Sequence, residues 1–339
     1  MREYLRIVFQ NETADPKDAK KLFEFYHLGD KKVEEITLNT ILKVGNITPS
    51  SYSYLRYPNN KKFAVVLSHD VDLVRPSWRY YAYHLIKKPK IGFNLLIRQK
   101  NPYNTFEKII ELEKKFGAKS TFFFMAVDKD PTGIRYRIED FKGTLRMILD
   151  EGFEVGLHGS YTAYNDLNQL KKEKSRLERV TGEKVQGYRN HYLRFKIPET
   201  WKLLEKAGFK YDSTIGYNDL VGFRGGVPYP FYGFDPASNE TFKVLEIPLN
   251  VMDGTLFEYM RLSVDKAFEL VKKLMDIVEE CHGVLTLNWH NDKFDGIYWR
   301  HYEELYVKIL KEAKKRDAWL TNGIELVEWW VNERKRDHW

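Results

Sequence analysis

The stretch from Phe63 to Asp72, FAVVLSHDVD, constrains this 339-residue chain more than any other. A short apolar run rich in β-branched residues is the pattern of a fully buried strand. Here the run stops abruptly at a histidine and two aspartates. Side chains two apart on a strand share a face, so Asp70 and Asp72 point the same way beyond its carboxyl end. His69, between Ser68 and Asp70, points away from them and reads as packing. In α/β folds, sites are built at that end of the strands. Two carboxylates forced together need a cation, a proton or an arginine between them. A solvated turn with an Asp capping a helix is the plainer alternative.

The rest of the chain repeats the theme. Apolar segments at 120–127, 153–157, 185–188, 209–213, 243–249 and 284–289 read as strands. Helical patterns at 105–116, 138–151, 167–180, 198–207, 264–280, 301–315 and 323–333 separate or follow them, several stopped by glycine. Residues 216–239, rich in Gly, Pro and aromatics, read as an irregular loop. Alternating strands and helices mean parallel βα units, and about seven of them favour a barrel-like closed sheet over an open one. The chemically versatile residues fall where strands end: Asp70 and Asp72, His158, Arg189 and His191, Asp212, His290. Residues 1–60 form a small N-terminal extension, set off by a polar, Pro-containing segment, and 61–339 form the βα domain.

Composition narrows the setting. One cysteine, Cys281, excludes an intramolecular disulfide framework and a cysteine-rich zinc cage. It fits a reducing, cytoplasmic location, as does an N-terminus whose apolar segment is too short for a signal peptide. No stretch approaches the roughly 18 apolar residues of a membrane span. The formal net charge is +7. All of that excess lies between residues 73 and 105, where Arg75, Arg79, Lys87, Lys88, Lys90, Arg98 and Lys100 meet no acid. The same insertion carries Trp78, Tyr80, Tyr81, Tyr83, Phe93 and Tyr103. It reads either as a lid or docking surface for an anionic partner, with a peripheral membrane contact left open, or as a solvated hairpin packed by its aromatics. Positive charge confined to one insertion, with no known recognition motif, argues against nucleic-acid binding.

Asp and His converging on one point offer oxygen and nitrogen ligands for a divalent metal such as zinc. Asp72, His158 and one further ligand suffice for a catalytic site with an open position. Asp70 can then take a proton from water, and His290 can protonate a leaving group. Asp212 can orient His290 and hold it charged, and Arg189 can do the same service for Asp70. Such a set performs metal-assisted hydrolysis of an amide or ester.

In order and context these motifs resemble the polysaccharide deacetylase (NodB-homology, carbohydrate esterase) family, of which the chain looks like a divergent member. The resemblance covers about Phe63 to the last helix and implies a distorted (β/α)7 barrel. The Asp pair appears as Asp70-Val71-Asp72; the resemblance makes Asp70 the base and Asp72 a metal ligand. The family's His-Ser-x-x-His motif resembles His158-Gly159-Ser160-Tyr161-Thr162, with Thr162 at the second histidine. The family's Arg-x-Pro-aromatic motif resembles Arg189-Asn190-His191-Tyr192, which makes the backbone amide of Tyr192 an oxyanion donor. His191, replacing the motif's proline, is expected to supply the imidazole that Thr162 lacks. Asp212, in Tyr-Asp-Ser-Thr, matches the fourth motif. The fifth, an apolar strand ending in histidine, matches Leu285 to His290.

The activity implied is removal of an acetyl group from an N-acetylated sugar or glycan precursor, one that could carry phosphate, with a divalent metal, zinc first. Two alternatives stay open: a metal-independent amidohydrolase of a small cyclic amide, and a catalytically silent glycan-binding protein. Around the expected cleft, Arg224 in a Gly-rich loop, Trp289 as a wall of the acyl pocket, and Tyr161 and Asn291 as flanking groups are the substrate-binding candidates. Ser160 is either a supporting hydroxyl or a turn residue. His27, His84, His282, His301 and His338 read as surface residues.

Overall fold

The computed structural model describes residues 56–336, except 88, 90–92, 94–100, 134–135, 225, 227 and 236. The N-terminal extension up to residue 55 and the Lys88, Lys90, Arg98 and Lys100 part of the basic insertion lie outside the described residues, as do His27 and His338. Along the chain the elements are β1 (Ala64–Val71), α1 (Trp78–Lys87), α2 (Phe106–Lys114), β2 (Ser120–Phe124), α3 (Lys142–Asp150), β3 (Glu154–Gly159), α4 (Leu167–Thr181), β4 (Gly187–Asn190), α5 (Glu199–Lys206), β5 (Tyr211–Asp212), β6 (Phe231–Asp235), β7 (Glu240–Glu246), β8 (Val251–Met252), α6 (Val264–Cys281), β9 (Val284–Asn288), α7 (Arg300–Lys315), β10 (Trp319–Thr321) and α8 (Gly323–Arg336). None of the described helices is long and apolar enough to cross a membrane.

β1 is the hub. It is buried over its whole length and runs parallel to β2 on one side and β9 on the other. From β2 the sheet continues in parallel through β3, β4, β5 and β7. At the other edge β8 pairs in parallel with β9. β7 and β8 are two parts of one strip of chain. Between them the N–H groups of Ile247 and Leu249 still donate to the Asp212 and Ile215 carbonyls, while that of Asn250 donates to Thr286. This strip therefore hands the sheet from β5 to β9 and curls it into a distorted (β/α)7 barrel. β10 pairs with the first residues of β1, beneath the main ring.

The sequence misses three pieces. β6, antiparallel to β7, lies inside the segment read as irregular loop. The two-residue β8 and three-residue β10 are too short to show any periodicity. Helices α2 to α8 fall where the patterns place them, with an apolar stripe turned inward; α6, for instance, buries Leu270, Leu274, Met275 and Val278. Ser263 caps α6 through a bond to the Lys266 N–H, and Asp166 caps α4.

Strand alternation divides the side chains into an inner and an outer set. Thr121, Glu154 and Tyr211 meet inside the barrel near the amino ends of the strands. Above them Arg189 reaches Ser68, Asp70 and Ser213, with Phe123 against its guanidinium. The outer set packs under the helices. His69 belongs to it: Nδ1 donates to the Trp289 carbonyl and Nε2 meets Glu113 of α2, both fully buried.

Candidate active site

At the carboxyl ends of the strands Asp72, just past β1, meets His158 of β3 and His191, which follows β4. Their ligand-type atoms all lie within 4.8 Å of one another. His158 Nε2 is 3.2 Å from Asp72 Oδ1, and His191 Nε2 is 3.6 Å from Asp72 Oδ2. Parallel pairing sets His158 beside Arg189, and the His158 Nδ1–H donates to the Arg189 carbonyl. That bond leaves Nε2 as the lone-pair nitrogen facing the cluster. Asp72 Oδ1 is shut off from solvent and accepts no hydrogen bond of regular geometry. An ion bound at about 2.1 Å by three tetrahedral ligands needs donors about 3.4 Å apart, close to the two histidine–Asp72 spacings here. The donor set, two imidazoles and a carboxylate, thus fits a divalent ion of the zinc type. Thr162 is exposed, and the imidazole that reaches this cluster is that of His191.

Asp70 lies alongside. Its Oδ1 accepts from Arg189 Nη1 at 2.9 Å and its Oδ2 from Asn288 Nδ2 at 2.8 Å. Burial alone would raise its pKa. Arg189, helped by the neighbouring histidines, outweighs burial and holds it below the usual carboxylate range. Arg189 is itself fully buried and fixed on every side, by Ser68, Asp70 and the Ser213 hydroxyl and carbonyl. For Asp72 too burial raises the pKa, but the His158 and His191 imidazoles facing it bring it well below the ordinary value.

On the far side His290 Nε2 stands 3.8 Å from Asp72 Oδ2. Its Nδ1–H donates to Asp253 Oδ1 at 2.7 Å, and its backbone N–H to Asp253 Oδ2 at 2.8 Å. Burial would depress this histidine, but Asp253 lifts it to about 10. Asp253 itself, although fully buried, is kept low by the same pairing. The partner of His290 is therefore Asp253, one residue past β8, and not Asp212 as the sequence led us to expect.

The correction has a local cause. Ser213 points inward to Arg189, so Asp212 points outward. There it faces Glu246, itself held by the Trp201 indole N–H and the Ile215 N–H, and it bonds to Thr214. Burial lifts Asp212 to about 6 and Glu246 well above its usual value, so the two share a proton between sheet and α5. The same parity corrects Trp289: between inward-facing Asn288 and His290, it is fully buried against Tyr306 and walls no pocket.

Asn291 is fully buried as well, and its amide donates to the Leu73 and Tyr103 carbonyls; it ties down the ends of the basic insertion rather than facing substrate. Arg224 is buried and donates to the Gly216 carbonyl, bracing its loop instead of standing at a surface. His84 is buried, not a surface residue. Ser160 bonds through both hydroxyl and N–H to Glu173, which anchors its turn to α4. Tyr161 and Tyr192 do stand together at the rim, ring centres 5.9 Å apart; Tyr192 is half exposed, and Arg194 lies over the Tyr161 ring.

Asp253 and Asn288 are the residues that sequence reasoning missed. Both carried a signal, a polar side chain at the carboxyl end of an apolar stretch. Asp253 escaped because its stretch seemed to end at Leu249.

No protein-family model matches this chain. A peptidoglycan deacetylase of Helicobacter pylori (strain ATCC 700392 / 26695) is 30% identical over 123 residues, which are 34% of this chain and 39% of that protein. The chain thus spans about two fifths of the length of the curated relative it matches. Among solved structures, a Mycobacterium smegmatis protein assigned to the polysaccharide deacetylases superposes with a TM-score of 0.56 and 21% identity, over 82% of this chain and 94% of that one. PuuE allantoinase gives a TM-score of 0.56 at 16% identity, over 81% and 92%. A Pseudomonas aeruginosa PAO1 protein of the first kind gives 0.54 at 15%, over 82% and 93%. These structural likenesses establish the fold.

Proposed function

We propose that this chain, a divergent member of the polysaccharide deacetylase family, hydrolyses the acetamide of an N-acetylated sugar or glycan precursor with a divalent cation, zinc first, held by Asp72, His158 and His191. The observation that carries this reading is one geometry. Three ligand-type atoms lie within 4.8 Å, with the Asp70–Arg189 pair on one flank and the His290–Asp253 pair on the other.

A cation bound there would polarise the amide carbonyl and acidify the attacking water. The protein's own groups divide the remaining work. Asp70, kept ionised by Arg189, accepts the proton of the attacking water. The Tyr192 backbone N–H donates toward the oxygen on which charge develops. His290, kept protonated by Asp253, gives its proton to the departing amine nitrogen. The Tyr161 and Tyr192 rings offer apolar faces at the rim for a sugar ring. The single cysteine, Cys281, supports a reducing, cytoplasmic setting for this activity.

The test is release of acetate from N-acetylated oligosaccharides, with and without exhaustive chelation, beside elemental analysis of the purified protein. The proposal expects stoichiometric divalent metal and turnover that falls on chelation and returns with zinc. Turnover that survives chelation but dies in Asp70→Asn would replace it with metal-free amide hydrolysis. Saturable glycan binding without acetate release would leave a binding protein.

A further inference from the structure

Only part of the basic insertion is explained by packing. Helix α1 begins six residues after Asp72 and rests its inner side on the rim of the barrel mouth. Tyr80 donates to Asp295 Oδ2 at 2.8 Å, and buried His84 packs against the Tyr80 ring and edge-on to Tyr298. Asn291, next to His290, holds the carbonyls of Leu73 and Tyr103 on either side of the insertion. The helix is thus moored to the segment that follows the catalytic-type histidine.

Its outer side is a different surface. Trp78, Ala82, Leu85 and Ile86 fall within roughly 100° of helical arc. Trp78 is 73% exposed and Ile86 75%, the most exposed large apolar residues described. Leu85 and, further on, Phe93 are exposed as well. Arg79 borders this strip, its guanidinium 5.8 Å from the Trp78 ring, and Arg75 and Lys87 stand exposed at the two ends of the helix. The surrounding sequence, 73–105, has no acid to neutralise them and carries the chain's whole charge excess. Residues 1–60 are nearly balanced, nine cations against eight acids, and so offer this strip no complementary charge.

We infer that the outer side of α1 docks on an anionic membrane surface, with Trp78, Leu85 and Ile86 entering the headgroup boundary and Arg75, Arg79 and Lys87 meeting lipid phosphates. An apolar strip with a tryptophan, bordered by cations, is what such an interface binds. The mooring of α1 beside His290 would hold the barrel mouth against that surface. If the deacetylase reading holds, on which this clause alone rests, the substrate is a glycan carried on a lipid anchor.

The test is co-sedimentation of the full chain with phosphatidylglycerol vesicles, phosphatidylcholine vesicles as control, and the variant Trp78→Glu/Ile86→Glu. Binding is expected with the anionic vesicles only, to weaken with added salt, and to fall at least about tenfold in the variant. Both side chains lie outside the packed core, so circular dichroism and hydrolysis of a soluble N-acetylated substrate should stay as in wild type. The vesicle readout needs no enzymatic activity, so its failure is separable from failure of the deacetylase reading. Equal sedimentation with both lipids, no sedimentation, or a variant that binds as wild type would overturn the inference. So would a wild-type dimer that the double substitution turns into monomer without vesicle binding, because the strip would then be a contact between copies.

Discussion

The two ends of the barrel bury carboxylates in opposite ways. At the mouth Asp70, Asp72 and Asp253 each face a cationic or imidazole partner, and each is held below its ordinary pKa despite burial. At the floor Glu154 has only neutral donors: the Thr121 hydroxyl at 2.6 Å, the Tyr211 phenol at 2.9 Å and the Ile324 N–H at 3.0 Å. Burial dominates there and raises Glu154 to about 7. Gly187 and Gly323 make the floor possible, since a Cβ on either would come within 2.3 Å of the Tyr211 hydroxyl. The mouth is built to hold charge, whereas the floor uses a carboxyl group as a hydrogen-bond hub that fastens the amino end of α8. Burial is common to both; the partner decides whether a carboxylate is chemistry or scaffold.

Substitutions can break this contrast, most strongly at the mouth. Asp72→Ala or His191→Ala should abolish stoichiometric metal and take acetate release to background, as read by elemental analysis and a turnover assay. Metal retained in His191→Ala would remove that histidine from the ligand set. Asp70→Asn should keep the metal and lower kcat by about 10³-fold, the usual range for losing a general base. Asp253→Asn should lower kcat by about 10²-fold with KM little changed, because His290 would keep its place but lose the charge that holds its proton.

At the floor the expected effect is on stability and not on turnover. Glu154 is raised in the folded chain from 4.5 to about 7. Its contribution is therefore complete below about pH 4.5 and is lost as pH rises through about 7, where the folded form too must ionise. That window is worth at most about 3 kcal/mol. Urea titrations of wild type and Glu154→Gln across it should show the wild type losing stability more steeply, with kcat unchanged at its optimum. A variant with the same slope would mean that Glu154 is not the group that titrates. The smallest effect belongs to Thr162→His. Restoring the second histidine of the family motif at an exposed position should leave metal content and rate as they are.

Much of this could be read from the chain itself. The strand run that ends in Asp70 and Asp72, the outward packing of His69, and the placement of His158, Arg189 and His290 at strand ends follow from two-residue alternation and the βα rhythm. Those are local covalent properties. The same alternation, applied to Ser213 and to Asn288, would also have turned Asp212 and Trp289 outward. Other outcomes needed the closed sheet. Nothing local tells that the strip from β7 to β8 crosses from β5 to β9, and so nothing local brings Asp253 under His290. Whether an imidazole from the end of β4 reaches Asp72 depends on how tightly the sheet curls. The sequence determines which way each side chain faces along its own strand; only the tertiary structure decides which of them meet, because distances across a barrel are set by the curvature and stagger of all its strands together.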